Sequence, residues 1–359
     1  MQIHSAAFAF RTDGTPVTCR EFGHGHINCT FHIATDTGAD YVLQKINTYV
    51  FKDPVALMDN ISKVTAYLHA RVDDPRQALH FIPARDGLYY FRDETGEYWR
   101  MYDFIGGFCL DMPESDEDFY QSALAFGRFQ HLLSNFPAET LAETIPEFHN
   151  TVDRYRQFRE SLAADPCGRA ASVQEEIAFL LDCEEEACRL QKMRESGDLP
   201  LRVTHNDTKM NNVLLDRETR KSLCVLDLDT VMPGLSVHDF GDSIRFGAAT
   251  AAEDEPDADR MHLDLHLFEV YTRGFLEAAT TLTPQEVELL PLGALNMTVE
   301  VAVRFLKDYL DGDLYFKTAY PTHNLVRART QIRLAADMRA HYGEMCRIVE
   351  NVHRQAENA

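Results

Sequence analysis

Short runs of apolar residues alternating with polar ones characterise the first hundred positions of the chain. Runs rich in β-branched and aromatic residues occupy 29–35, 41–46 and 87–105, and the turn sequences DTGAD and ETGE interrupt them. One helix is predicted between these runs, because Asp53-Pro54 resembles a helix start and apolar residues follow at helical spacing as far as Leu68. This part of the chain is therefore predicted to form strands joined by tight turns, with a single helix.

Helical periodicity dominates after Gly106-Gly107. The apolar spacing predicts helices over 119–133, 151–163, 172–195, 262–279, 284–311 and from 324 to the C-terminus. One β interruption is predicted inside this helical part, over 201–207, 211–216 and 222–229. We therefore predict an α+β chain with a β-rich domain at 1–105 and a larger, mainly helical domain at 106–359.

Charge narrows the possible partners. The chain has 35 Lys and Arg residues against 57 Asp and Glu residues, a net charge of −22, which repels nucleic acid and anionic lipid surfaces. No apolar run approaches the length of a membrane span, and the first residues lack the pattern of a signal peptide. We expect a cytoplasmic protein with no nucleic-acid or membrane partner, and the sequence leaves its oligomeric state open.

The densest polar cluster, THNDTKMNN at 204–212, lies within the β interruption. The spacing from Asp207 to Asn212 is that of a kinase catalytic loop, in which the Asp accepts the proton of the acceptor hydroxyl and the Asn holds magnesium. Asp227 follows the next hairpin, where a second magnesium ligand is required, and Lys209 can offset the charge of the phosphoryl group. An ordinary turn capped by Asn and Asp is the alternative, but it requires no second acid after the hairpin.

The N-terminal part offers weaker signals for phosphate binding. Gly23 and Gly25 permit close approach of the backbone to phosphate oxygens, although a hairpin turn would also use glycine here. The third strand offers Lys45 as a cation, but a one-residue change of register would place Gln44 on the phosphate side instead.

Together these segments resemble the aminoglycoside phosphotransferase and choline kinase family, the small-molecule branch of the protein-kinase-like fold. The resemblance covers nearly the whole chain and rests on GHGHIN at 23–28, WR at 99–100, LRVTHNDTK at 201–209, DLDTVMPG at 227–234, DFGDSIRFG at 239–247, and RFL at 304–306 through NLVR at 324–327. It implies a bilobal fold with a small β-rich N-lobe and a larger helical C-lobe.

Several of these motifs resemble the N-acetylhexosamine 1-kinase group within the family. That resemblance implies that the γ-phosphate of ATP, with Mg²⁺, is transferred to the anomeric hydroxyl of N-acetylglucosamine or N-acetylgalactosamine. It implies a sugar pocket lined by His26, Asn28, Asp229, Arg304 and Tyr315. Two of these have structural alternatives, since Arg304 has the spacing of a helical ion pair with Asp308, and Tyr315 is also suited to an apolar core.

The resemblance also implies a hinge whose backbone, at Asp103 and Ile105, meets the adenine of ATP. Asp239 is expected to brace the catalytic loop by accepting backbone hydrogen bonds. Asn206 replaces the Arg of the protein-kinase H-R-D sequence, so control by activation-loop phosphorylation is not expected.

Two alternatives to this function remain. The acceptor could be another small hydroxyl compound, such as another hexose, choline or an aminoglycoside, or the protein could be a non-catalytic sensor of nucleotide or sugar.

Overall fold

The computed structural model describes residues 4–23 and 28–357. The strands in these residues are β1 Pro16–Glu21, β2 Cys29–Thr35, β3 Asp40–Lys45, β4 Phe91–Arg92, β5 Tyr98–Asp103, β6 Arg202–Thr204, β7 Val213–Leu215, β8 Ser222–Val225 and β9 Met232–Gly234. The helices are α1 Pro54–His69, α2 Asp116–Leu132, α3 Thr151–Ala164, α4 Gln174–Asp182, α5 Glu184–Ala187, α6 Arg189–Ser196, α7 Ser236–Gly247, α8 Leu265–Ala278, α9 Pro284–Glu288, α10 Leu290–Asp311, α11 His323–Ala340 and α12 Tyr342–Glu357. The predicted α+β fold class is confirmed, with a small antiparallel sheet in the N-terminal region and a larger helical C-terminal part.

The N-terminal sheet has the strand order β1-β2-β3-β5-β4, and each neighbouring pair is antiparallel. One face carries an apolar cluster that includes Ile33, Leu43, Trp99 and Met101. Successive residues of a strand point to opposite faces, so the other face carries the residues between them. That second face carries a row of polar side chains, which is described with the candidate active site.

Helix α1 begins where the sequence predicts it. Asp53 accepts a hydrogen bond from the Ala56 N–H at 2.9 Å, and Pro54 occupies the first helical position, where no intrahelical donor is needed. Leu57, Ile61 and other residues at helical spacing are buried along one side, so capping and periodicity together determine this element.

Three of the predicted long helices are divided. The stretch 172–195 forms α4, α5 and α6, with breaks at Cys183 and Cys188, where ψ is −10° and −4° instead of the usual value near −42°. The helix predicted at 284–311 breaks at Leu289, because Pro291 follows and cannot donate a backbone hydrogen bond. The C-terminal helix breaks at His341, where ψ is 10°.

Internal contacts divide the chain into two compact units. The first contains Met1–Phe108, Asn135–Pro146 and Leu214–Pro233, and the second contains Cys109–Ser134, Glu147–Val213 and Gly234–Ala359. The predicted boundary after residue 105 lies close to the division after Phe108, and the first unit additionally holds two later segments. Most of the hairpin formed by β7 and β8 lies in the second of these segments.

Helices α7 and α10 cross closely in the second unit. A Cβ atom on Gly241 would collide with the backbone of Gly293, and one on Gly293 would collide with the Val237 carbonyl. Glycine at both positions therefore permits the close approach of these two helices. None of the helices in the described ranges is long and apolar enough to cross a membrane.

Candidate active site

The loop after β6 is held in a conformation that few residues adopt. Asn206 has φ 64°, in the left-handed region. The buried Asp239 accepts hydrogen bonds from the N–H groups of His205 at 2.9 Å and Asn206 at 2.8 Å, and Gln130 donates to it at 2.6 Å. The predicted brace by Asp239 is therefore confirmed.

Asp207 follows immediately and contacts two other residues of the loop to which the sequence analysis assigned a role, Lys209 and Asn212. The Lys209 Nζ lies 2.9 Å from Asp207 Oδ1. The side-chain amide of Asn212 donates to the Asp207 carbonyl at 2.8 Å and to its Oδ2 at 3.3 Å. Burial, which raises the pKa of Asp207, is outweighed by Lys209 and the hydrogen bond from Asn212, so its pKa lies below the ordinary value. The loop therefore presents an ionised carboxylate that remains 28% exposed.

Lys209 is held as a cation. Burial, which lowers the pKa of its amine, is outweighed by Asp207 and Asp242, so the pKa is raised. Its Nζ also lies 5.1 Å from the centre of the Phe246 ring. The neighbouring Thr208 is anchored through its N–H to Asp242 at 3.0 Å, which fixes the backbone beside this lysine.

Asp227 and Asp229 differ sharply in environment. Asp227 has φ 54°, begins the short turn at Leu228–Thr230, and is exposed. Asp229, two residues later, is only 3% exposed. The hairpin thus presents one carboxylate to solvent and buries the other.

Asp229 contacts the polar face of the N-terminal sheet. Its Oδ2 accepts a hydrogen bond from Asn28 at 2.7 Å, and its Oδ1 is ion-paired with Arg100. Arg100 donates from Nε to Gln44 at 2.9 Å, and Gln44 donates to Thr30 at 3.0 Å. The strand register places Thr30, Gln44 and Arg100 side by side, so two of the predicted sugar ligands, Asn28 and Asp229, meet here.

Lys45 lies on the opposite face of the sheet. It pairs with Trp99 in the register and its Nζ lies 3.7 Å from Glu97. Because neighbouring residues of a strand face opposite sides, Lys45 points away from the sheet face that contacts Asp229. The register places Gln44 and Arg100 on the face that contacts Asp229 and Lys45 on the other face, and the role of Lys45 as the phosphate-binding cation stays a prediction.

The glycine turn and the predicted hinge are described in part. Gly25 and His26 fall outside the described residues, whereas Gly23 has φ 80°, a conformation that favours glycine. The Asp103 N–H donates to the His80 carbonyl at 3.0 Å, and the Asp103 carboxylate lies 2.7 Å from His80 Nδ1. Ile105 is partly exposed.

An aromatic cluster that the sequence did not predict includes Phe104 of the predicted hinge segment. The Phe104 ring centre is 5.6 Å from that of Phe22 and 4.9 Å from that of His32. Phe22 directly precedes Gly23 and is 45% exposed. Phe22, directly before Gly23, therefore packs against Phe104 of the predicted hinge segment, and its ring remains accessible.

Arg304 and Tyr315 are neighbours in the second unit. The Arg304 guanidinium lies 5.9 Å from the Tyr315 ring, 5.4 Å from Phe148 and 5.5 Å from Phe316. Tyr315 is 69% exposed, which rules out the alternative that it belongs to the core.

Asp308 is engaged elsewhere. It accepts hydrogen bonds from the N–H groups of Leu314 at 2.9 Å, Tyr315 at 2.8 Å and Phe316 at 2.9 Å. It therefore holds the loop that carries Tyr315, and no ion pair between Arg304 and Asp308 occurs in the part of the chain that the structure describes.

Oxygen donors suited to magnesium are present, although the described residues contain no convergent set of three His, Cys, Asp or Glu side chains. Asn212 uses its side-chain nitrogen to bond Asp207, which leaves its amide oxygen for a metal. Asp227 offers an exposed carboxylate. Mg²⁺ usually takes only one or two protein ligands together with substrate phosphates and water, and the Asn212 amide oxygen in the second unit and the Asp227 carboxylate in the first are each a kind of ligand that it accepts.

The comparisons with known proteins agree with this fold. The sequence matches the Phosphotransferase enzyme family over residues 18–275. A microcompartment-associated aminopropanol kinase has a similar structure, with a TM-score of 0.61 and 15% identity, covering 94% of this chain and 95% of that one. The amicoumacin kinase hAmiN, solved with AMP-PNP, Ca²⁺ and Ami, gives a TM-score of 0.60 and 12% identity over 91% of each chain. An ethanolamine kinase from Plasmodium vivax gives 0.56 and 13% identity, covering 88% of this chain and 81% of that one. Because the family match spans well over half of the sequence, the chain belongs to the Phosphotransferase enzyme family.

Proposed function

We propose that the protein is a kinase that transfers the γ-phosphate of ATP to the anomeric hydroxyl of an N-acetylhexosamine, N-acetylglucosamine or N-acetylgalactosamine, and releases the sugar 1-phosphate. The observation that carries the proposal is the Asp207 carboxylate, ionised and partly exposed between Lys209 and Asn212. A carboxylate in this state can accept the proton of an attacking hydroxyl.

Asp207, Lys209 and Asn212 of the loop have separate parts in the proposed reaction, together with Asp227. Asp207 orients the acceptor hydroxyl and takes its proton, while the Lys209 ammonium offsets negative charge on the phosphoryl oxygens. Asn212 and Asp227 would hold Mg²⁺, which neutralises charge on the ATP phosphates when bound. The hydrogen bonds from His205 and Asn206 to Asp239 keep the loop fixed during the reaction.

Nucleotide binding is proposed for the first unit. Adenine would hydrogen-bond the backbone near Asp103 and Ile105 and pack against Phe22 and Phe104, since base-binding sites combine an apolar lining with few polar groups. The Asp103 N–H already donates to His80, so Ile105 is the more available backbone partner. Gly23 would allow the turn to approach the phosphates.

The proposed acceptor is a neutral sugar. Asn28 and Asp229 in the first unit and Arg304 and Tyr315 in the second are the proposed sugar ligands, and their amide, carboxylate and guanidinium groups suit sugar hydroxyls. Choline would need an aromatic cage free of cations, whereas the rings around Tyr315 already surround the Arg304 guanidinium. The same positive charge disfavours a polycationic aminoglycoside.

The structurally similar kinases of aminopropanol and ethanolamine support phosphorylation of a hydroxyl group. A coupled ADP-release assay with N-acetylglucosamine, N-acetylgalactosamine, glucose, choline and an aminoglycoside tests the acceptor. We expect turnover with the two N-acetylhexosamines, and phosphorus NMR should identify the product as a sugar 1-phosphate. Turnover with choline or the aminoglycoside alone would reassign the acceptor, and nucleotide binding without any turnover would favour a sensor.

A further inference from the structure

Glu300 on α10 is a completely buried carboxylate with a partner for each oxygen. His149 Nδ1 lies 2.9 Å from Glu300 Oε1, and the Thr151 hydroxyl donates to Oε2 at 2.6 Å. The side-chain amide of Asn296 donates to the Thr151 hydroxyl oxygen at 3.1 Å, which leaves the hydroxyl proton for Glu300. These donors satisfy a carboxylate that has no access to water.

His149 connects this carboxylate with the catalytic loop. Its second ring nitrogen, Nε2, lies 3.2 Å from the backbone carbonyl oxygen of Asn206. Both ring nitrogens thus face acceptors, and a nitrogen can bond to an acceptor only when it carries a hydrogen. The arrangement describes an imidazolium at His149 paired with an ionised Glu300.

The charged groups around the pair agree with this assignment. Burial, which raises the pKa of Glu300, is outweighed by His149, Arg304 and Arg154, so its pKa falls to about 2. The neighbouring His238 ring lies 5.6 Å from that of His149. Burial and the charge of His149 lower the pKa of His238 to about 3, so His238 is neutral and only one of the two imidazoles is charged.

Asn206 is the point at which the loop needs such support. Its left-handed backbone, with φ 64°, is less favourable for a non-glycine residue, and Asp207 follows directly. Its N–H donates to Asp239 at 2.8 Å, and its carbonyl accepts from His149. The residue before the proposed base is therefore held from both sides of its backbone.

We infer that His149 and Glu300 are positioning residues for phosphoryl transfer, because they fix the Asn206 carbonyl and thereby the direction of the Asp207 carboxylate. The inference rests on the proposed role of Asp207 and adds a buried ion pair to its support. Neither residue is proposed to contact substrate.

The same face of α10 also carries a proposed sugar ligand. Arg304 lies four residues after Glu300, a spacing that places both on one side of the helix. Arg304 lies against Phe148, the residue before His149. One helix face thus supports both the catalytic loop and the Arg304 side chain.

The test compares His149→Phe, Glu300→Leu and Glu300→Gln. His149→Phe removes the hydrogen bond to Asn206, and Glu300→Leu removes the carboxylate that orients the His149 ring. For both we expect kcat to fall about 30- to 100-fold, with the KM values for ATP and for N-acetylglucosamine changed by less than about threefold. Glu300→Gln should keep kcat within about threefold of the wild type, because the carboxamide can accept from Thr151 and donate to His149 Nδ1, leaving Nε2–H for Asn206. The double variant His149→Phe/Glu300→Leu should lose no more than His149→Phe alone.

His238→Leu is the matched control, since it removes a buried imidazole whose ring centre lies 5.6 Å from that of His149 but leaves the hydrogen bond from His149 to Asn206 in place. We expect it to keep kcat within about twofold of the wild type. Nucleotide binding and thermal unfolding of every variant identify those that fail to fold. Selective ¹⁵N-histidine NMR on the wild type should show that both ring nitrogens of His149 carry a hydrogen, with the signals assigned by their loss in His149→Phe.

The outcomes separate this inference from the proposed function. A wild type that binds ATP but phosphorylates no acceptor would remove the proposed function. An active wild type in which folded His149→Phe keeps its kcat, or in which Glu300→Gln loses as much as Glu300→Leu, would overturn the positioning role.

Discussion

Arg100 and Asp229 form an ion pair with side chains only 2% and 4% exposed. Arg100 lies on β5 and Asp229 in the turn after β8, so the pair joins the sheet to the hairpin within the first unit. Removing one partner of such a pair leaves an uncompensated charge away from water. Substituting the two residues singly and together therefore distinguishes a loss of stability from a loss of activity.

We expect Arg100→Met and Asp229→Leu each to destabilise the protein by about 3–5 kcal/mol, because each leaves one buried charge unpaired. The double variant Arg100→Met/Asp229→Leu should recover much of this loss but remain inactive, since Asp229 is a proposed sugar ligand. Urea unfolding and the ADP-release assay measure the two effects. Arg76→Met is the control, because its ion pair with Asp74 is exposed and its loss should leave the unfolding midpoint unchanged. A double variant with restored activity would contradict the role of Asp229.

Arg304→Ala should raise the KM for N-acetylglucosamine roughly 10- to 100-fold while changing the KM for ATP less than about twofold, as expected for loss of a charged hydrogen-bond donor to one substrate. Steady-state kinetics with each substrate varied in turn measures the split. Arg329→Ala provides a matched arginine on α11, where Arg329 pairs with Glu176 instead. Equal increases for both substrates would count against Arg304 as a sugar ligand.

The sequence specifies the local elements better than the register between them. The caps and periodicity of α1 and the spacing from Asp207 to Asn212 are local features, and the structure contains both as predicted. Lys45 and Gln44 could not be distinguished in the same way, because a one-residue change of register exchanges the two faces of a strand. The contact between Gln44 and Arg100 depends on the pairing of β3 with β5, which are far apart in the chain.

His149 and Glu300 also escaped sequence analysis. They are separated by about 150 positions, and neither belongs to a motif that carries chemistry. The splitting of long helices at Cys183 and Cys188 has no proline or glycine signal either. The contact between the two residues and the positions of the helix breaks both depend on tertiary packing, which a local sequence pattern does not encode.

The stability of the protein should depend on pH through Glu300. Its pKa falls from 4.5 to about 2 on folding, so its ionised form stabilises the folded state above pH 4.5 and this contribution is lost as the pH falls towards 2. The stability of the wild type relative to Glu300→Gln should fall by on the order of 3 kcal/mol across that range. Urea unfolding at several pH values measures the difference, with the exposed Glu350→Gln as control. A difference between wild type and Glu300→Gln that is independent of pH would contradict the assigned charge.

The most direct test of the account is turnover by Asp207→Asn with ATP and N-acetylglucosamine, measured alongside ATP binding on the same sample. Asparagine keeps the size of the side chain but cannot take the acceptor proton, so we predict that kcat falls by about 10³-fold or more while the Kd for ATP changes less than about threefold. Asp259→Asn, at a side chain that is 94% exposed, should behave like the wild type. An Asp207→Asn variant that retains more than about a tenth of the wild-type kcat would contradict the assignment of Asp207 as the base.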